Sequence, residues 1–192
     1  MPFKTLPPAP LAGGADLEYP PTLPEPLIVA VLDAPHMERE GRTTAILAQG
    51  FIYQHAQSGA EIVTPEGFLT DFASIPQAAR FAFPPFGRHA KAAVLHDFLY
   101  AVGEPHRKAF ADRIFLDAMT DLQVNPGKRQ IMYEAVHLFG HDGYAAAEAD
   151  WPHSWGDWRT GEYMPGPLPA RESFFVANWA KPPRPDYDPT HP

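Results

Sequence analysis

The chain has no cysteine, which excludes a disulfide framework and any thiolate metal site. It has no apolar run approaching the roughly 20 residues a membrane helix needs. Its first thirty residues carry one lysine and no continuous apolar stretch, so no signal peptide and no membrane insertion are expected. Basic residues are few: 15 Lys and Arg stand against 23 Asp and Glu, for a net charge of −8. They are scattered rather than striped, so nucleic acid is not an expected partner. There is no G-x-S-x-G, no phosphate-cradling glycine loop and no H-E-x-x-H. What remains is a chain of 192 residues, 45% hydrophobic, enough for one ordinary domain with extensions.

Proline sets the boundaries. Of 24 prolines, nine lie in residues 1–35, nine in 152–192 and six between. Each lacks an N–H donor, so residues 1–26 read as an extended arm. Residues 144–192 read as a second strap, and this one holds all four tryptophans. Disordered tails are poor in aromatics, so Trp151, Trp155, Trp158, Phe174, Phe175 and Trp179 are expected to pack, either on their own domain or on a partner. Partner docking is the favoured expectation, because rings of this kind are enriched at interfaces.

Residues 27–143 form the compact core. The runs 27–33 and 44–54 and the segment Glu61 to Thr64 read as strands, with a turn at Pro65-Glu66-Gly67. Ser74 reads as the N-cap of a short turn through Arg80. Helical periodicity then covers 88–101 and about 106–121. A third helix is capped by Asn125, has Pro126 at its first position, points Ile131, Ala135 and Leu138 inward and stops at Gly140. The expected fold is α+β, a short antiparallel sheet followed by three packed helices.

One constellation carries the chemistry. His96 and Asp97 lie inside the apolar run Val94 to Tyr100, and Asp112 lies inside Ala111 to Phe115. Buried charges must be paired or bind metal. Asp71, at the end of a strand, is a fourth candidate. One imidazole with two or three carboxylates suits a single divalent transition ion, Zn²⁺, Mn²⁺ or Fe²⁺, which could activate water for hydrolysis. The alternative is a polar lock without chemistry. There Asp112 accepts from Arg88 or Arg107, His96 bonds Tyr100 or a carbonyl, and Asp71 caps a turn. His89, seven residues before His96, is a weaker further ligand, and His141-Asp142 reads as solvated loop.

The segments Thr64-Pro65-Glu66-Gly67-Phe68-Leu69-Thr70-Asp71-Phe72-Ala73-Ser74-Ile75-Pro76, Ala92 to Tyr100, Ala111 to Phe115 and Met132 to Gly140 together resemble the domain-of-unknown-function family numbered one-three-five-three, over roughly residues 60–140. His106 departs from the pattern, where a small N-cap residue such as serine is expected. The resemblance implies a bacteriophage or prophage origin but no activity. Two functions follow as expectations. One is a virion-associated tail, neck or baseplate adaptor that docks on other phage structural proteins through its arms. The other is a metal-dependent hydrolase of the cell envelope or of phosphoesters, using Asp71, His96, Asp97 and Asp112. The expected location is the virion or the host cytoplasm.

Overall fold

The computed structural model describes residues 2–6, 26–32, 44–72 and 87–188. Six short strands come first: β1 (Phe3–Thr5), β2 (Val29–Val31), β3 (Ala45–Leu47), β4 (Phe51–Gln54), β5 (Glu61–Thr64) and β6 (Leu69–Thr70). Helices α1 (Ala90–Val102), α2 (Lys108–Asp121) and α3 (Pro126–Phe139) follow, then the short α4 (His141–Ala145) and α5 (Ala147–Asp150). A small hairpin, β7 (Gly156–Asp157) and β8 (Glu162–Tyr163), and irregular chain complete the described residues. The turn expected from Ser74 to Arg80 lies outside the described residues.

The architecture is α+β, with two three-stranded antiparallel sheets, β1-β4-β5 and β2-β3-β6, in place of one. The run 44–54 changes sheets at Ala48-Gln49-Gly50. Gly50 allows this because a Cβ there would sit 2.9 Å from the Thr64 carbonyl oxygen, closer than a side chain tolerates. Gln49 holds the bend by donating from Nε2 to the Leu6 carbonyl at 2.7 Å. Residues 3–5 of the N-terminal arm are an edge strand of the first sheet, with Phe3 opposite Tyr53.

Helix α1 is buried nearly all round, as a helix apolar on every face must be. It ends at Gly103, whose φ of 51° suits glycine and whose missing side chain lets Ala147 approach. Helix α2 starts at Lys108 rather than 106, because His106 has a φ of 62° and cannot continue a right-handed helix. Asn125 caps α3 as expected, accepting from the Gly127 and Lys128 amides at 3.0 and 3.2 Å. The inward face of α3 differs from expectation. Met132, Ala135 and Val136 are buried, while Ile131 and Leu138 are 56% and 62% exposed. Met132 and Val136 join the core cluster that holds Phe115, Ala118 and Met119 of α2, and Lys108 of that helix donates to the Val136 and His137 carbonyls at 3.0 and 3.2 Å.

The C-terminal strap packs on its own core. Trp151 and Trp155 join the cluster that contains Phe68, Phe98 and Phe115. Arg171 donates to the Val102 carbonyl at 2.8 Å, closing the end of α1 where helix carbonyls otherwise lack partners. Trp179 packs on Phe110 at 5.4 Å, and Tyr187 lies edge-on to His55 at 5.5 Å.

Candidate functional site

Helix α2 carries two buried aspartates, five residues apart, and each faces a histidine on a different element. The first pair is the one the sequence singles out. His96 and Asp112 are both fully buried, with His96 Nε2 3.2 Å from Asp112 Oδ1. Tyr100 donates to the same oxygen at 2.7 Å, and Lys108 donates to Oδ2 at 2.8 Å. His137 Nδ1 lies 3.4 Å from Oδ2. Neither Arg88 nor Arg107 reaches Asp112: Arg88 turns to the Gln123 carbonyl and Arg107 to Glu104. The His96 ring is packed against Tyr100 and Phe115, at 4.0 and 4.7 Å.

The electrostatics follow from this packing. Burial alone raises the Asp112 carboxyl, but the hydrogen bonds from His96, Lys108 and Tyr100 outweigh it and hold the group at about 2. Burial pushes His96 below the usual imidazole value, against the pull of Asp112. Tyr100 is raised, chiefly by burial and then by the Asp112 charge. His96 is therefore neutral near pH 7, with its proton on Nε2 toward the carboxylate. Its Nδ1 is buried and, among the described residues, has no hydrogen-bond partner.

Of the four residues expected to share an ion, the structure brings together His96 and Asp112 only. Asp97 is turned about 100° away around α1 and accepts from Thr70 Oγ1 at 2.6 Å. That hydroxyl in turn accepts the Phe72 amide at 3.1 Å, fixing Phe72 at a φ of 53° as the chain leaves β6. Asp71 is half-buried at the same exit. Among the described residues, no group of three or more His, Asp or Glu side chains is placed to hold a metal ion. At Asp112 the cation is already supplied by Lys108. His89 lies seven residues, about 10 Å, back along α1 from His96, and His141 and Asp142 are exposed at the start of α4.

The second pair has no counterpart in the sequence reading. His55 Nε2 lies 3.0 Å from Asp117 Oδ2, and Arg113 Nε donates to that oxygen at 2.9 Å. His55 Nδ1 lies 2.7 Å from Ser58 Oγ. The order Ser-His-Asp has the outline of an acyl-transfer relay, but the geometry is that of a turn. Ser58 is fully buried, its Oγ accepts the Ala60 amide at 3.1 Å, and its amide points back to His55 Nδ1 at 3.4 Å. A cleft of about 480 Å³ lined by His55, Gly59, Glu61 and Lys181 runs alongside, and Ser58 does not line it. The visible signal was His55-x-x-Ser58-Gly59 between two strands; the partner, 62 residues away, has no local mark.

The aromatic candidates are engaged within the chain. Trp151 and Trp155 are 8% and 2% exposed. Trp155 and Phe174 stack at 5.9 Å, and Phe174 meets Phe98 at 5.4 Å. Trp158 donates from Nε1 to Glu66 at 2.9 Å, and Trp179 to the Phe174 carbonyl at 2.9 Å. The Arg171 guanidinium lies over the Phe175 ring at 5.5 Å.

Residues 45–136 match the family described as Protein of unknown function (DUF1353). The match is to this segment alone, a little under half of the chain. No curated protein and no solved structure matches the chain. The DUF1353 segment runs from β3 to the last buried turn of α3. It holds both histidine–aspartate pairs, along with Thr70, Asp71 and Asp97. Strands β1 and β2 and the aromatic strap lie outside it.

Proposed function

We propose that the chain is a structural or adaptor protein associated with a bacteriophage virion, acting by docking and not by catalysis. The phage origin comes from the family resemblance. The observation that carries the docking reading is the closure of the polar residues on one another. Asp112 is surrounded by His96, Tyr100, Lys108 and His137, and Asp97 is bonded to Thr70. A hydrolase needs a reacting atom within reach of such groups, and a buried network closed around its carboxylates, open only at His96 Nδ1, instead fixes one packing of the helices. The outer surface is less self-contained. Val31, Ile131, Leu138 and Phe139 are all more than half exposed, and a protein built to be covered leaves such side chains outside.

The test is where the protein travels and what it carries. Purified particles should contain the chain in constant proportion to the major structural proteins, and the isolated protein, purified without chelator, should carry no stoichiometric metal. A chain confined to the soluble lysate, holding about one transition ion that a folded His96→Ala variant loses, would replace this reading with the metal-dependent hydrolase.

A further inference from the structure

The backbone hydrogen bonds of β2 leave an open strand edge. Val29, Ala30 and Val31 lie opposite Leu47, Ile46 and Ala45. The Ala48 amide donates to the Ile28 carbonyl at 2.9 Å, and the Leu32 amide to the Thr44 carbonyl at 3.1 Å. In an antiparallel ladder the bonded pairs alternate, so residues 28, 30 and 32 face β3. The amides and carbonyls of Val29 and Val31 therefore point away from the sheet. Among the described residues nothing accepts or donates to them.

Other edges of the two sheets are managed. The outer edge of β5 is met by Lys181, whose carbonyl accepts the Glu61 amide at 2.7 Å. The outer edge of β6 is met by the strap, where the Leu69 amide donates to Ser154 and the Gly156 amide to Gly67, both at 2.9 Å. Strand β1 carries the exposed Lys4, a charge of the kind that blunts an edge. Among the described residues, strand β2 has none of these devices. Its run Leu27-Ile28-Val29-Ala30-Val31-Leu32 holds no charge, proline or glycine, and Val31 is 55% exposed.

We infer that β2 pairs with β2 of a second copy, antiparallel and centred on Ala30, joining two β2-β3-β6 sheets into one of six strands. The occupant is argued from self-complementarity. A two-fold axis at Ala30 sets Val29 opposite Val31 of the other copy, so the four outward amides and carbonyls of each strand meet their own complements. The facing side chains are β-branched and uncharged, a favourable cross-strand pair with no like-charge contact. So small an edge places the dimer in the weak, concentration-dependent class. The inference stands independently of whether the chain travels in the particle.

The experiment is sedimentation equilibrium of the full chain over a wide concentration range, with the fold checked by circular dichroism. The wild type should move from once toward twice the 21.3 kDa chain mass as concentration rises. Val31→Pro removes an outward amide and leaves the ladder to β3 intact, as proline is tolerated on an edge with its nitrogen facing solvent. Val31→Lys adds an edge charge. Both variants should stay folded and monomeric at concentrations where the wild type is dimeric. A wild type monomeric at its highest soluble concentration overturns the inference. So does a dimer that survives both variants, and so does one that Leu138→Glu dissociates in their place, which would locate the contact on α3.

Discussion

The two buried histidine–aspartate pairs on α2 are built from the same parts and end in different states. Each aspartate takes a cation from its own helix four residues earlier, Lys108 for Asp112 and Arg113 for Asp117. Each also takes a histidine from another element, α1 in the first case and the β4–β5 turn in the second. The difference lies at the far side of the imidazole. His55 has Ser58 on its other nitrogen, whereas Nδ1 of His96 is buried and, among the described residues, has no partner. A histidine bonded at both nitrogens is held by its turn. One bonded at a single nitrogen has no place for a second proton. Protonating His96 keeps the Nε2 bond to Asp112 but buries a second N–H without an acceptor, so the first pair is firmest while His96 is neutral, and the second ties helix to sheet through a matched turn.

The sharpest way to break the comparison is to remove each carboxylate. Asp112→Ala leaves His96, Tyr100 and Lys108 without their common acceptor in a fully buried place, and should cost about 3–5 kcal/mol in urea denaturation. Asp117→Ala should cost less, about 1.5–3 kcal/mol, because His55 keeps Ser58 as a partner and the Asp117 side chain is 7% exposed against 0% for Asp112. Equal losses would mean that the two pairs are equivalent supports.

A smaller effect separates the pairs by pH. His96 is lowered from 6.5 in the folded chain, so the unfolded chain takes up the proton first. Stability must then fall as pH drops below about 6.5, with a slope of up to about 1.4 kcal/mol per pH unit for one proton. Asp112 behaves as a depressed acid. Its contribution is complete above 3.8 and is lost only as pH falls through about 2. Urea midpoints between pH 7 and 5 should therefore decline in the wild type and decline less in His96→Gln. A slope unchanged by that substitution would remove His96 as its cause.

The smallest expected effects come from single hydroxyls. Ser58→Ala removes a neutral hydroxyl from its pair and should cost about 0.5–1.5 kcal/mol, whereas Tyr100→Phe removes a donor to the ionised Asp112 and should cost about 1.5–3 kcal/mol. Thermal melts of the two variants would order them.

Much of the fold was legible because its signals are local. Asn125 followed by Pro126 marks a helix start, the apolar run of α1 marks a buried helix, and Glu61 to Thr64 marks a strand. The split of 44–54 between two sheets was hidden, because it depends on how closely Thr64 approaches Gly50. The inward face of α3 was misread by one step, since Ile131 and Leu138 satisfy helical spacing as well as Met132 and Val136 do. At the candidate site, the burial of His96 and Asp112 was visible from the apolar text around them. Their direct contact was not visible, nor was the choice of Lys108 over Arg88 and Arg107. The pairing of His55 with Asp117 spans 62 positions and left no trace in spacing.

The sequence by itself determined the absence of thiol chemistry, the two ends of α3 at Asn125 and Gly140, the burial of His96 and Asp112 and the family resemblance of the stretch from about residue 60 to the end of α3. Composition and nearest neighbours along the chain are enough for each of these. The tertiary structure decided which partner each polar group takes. It turned the aromatic strap onto its own core, gave Asp112 to Lys108 and Asp97 to Thr70, and, among the described residues, left the outer edge of β2 without hydrogen bonds. Hydrogen bonds and ring contacts are satisfied by whatever lies within a few ångströms in space, and that is set by how the elements pack.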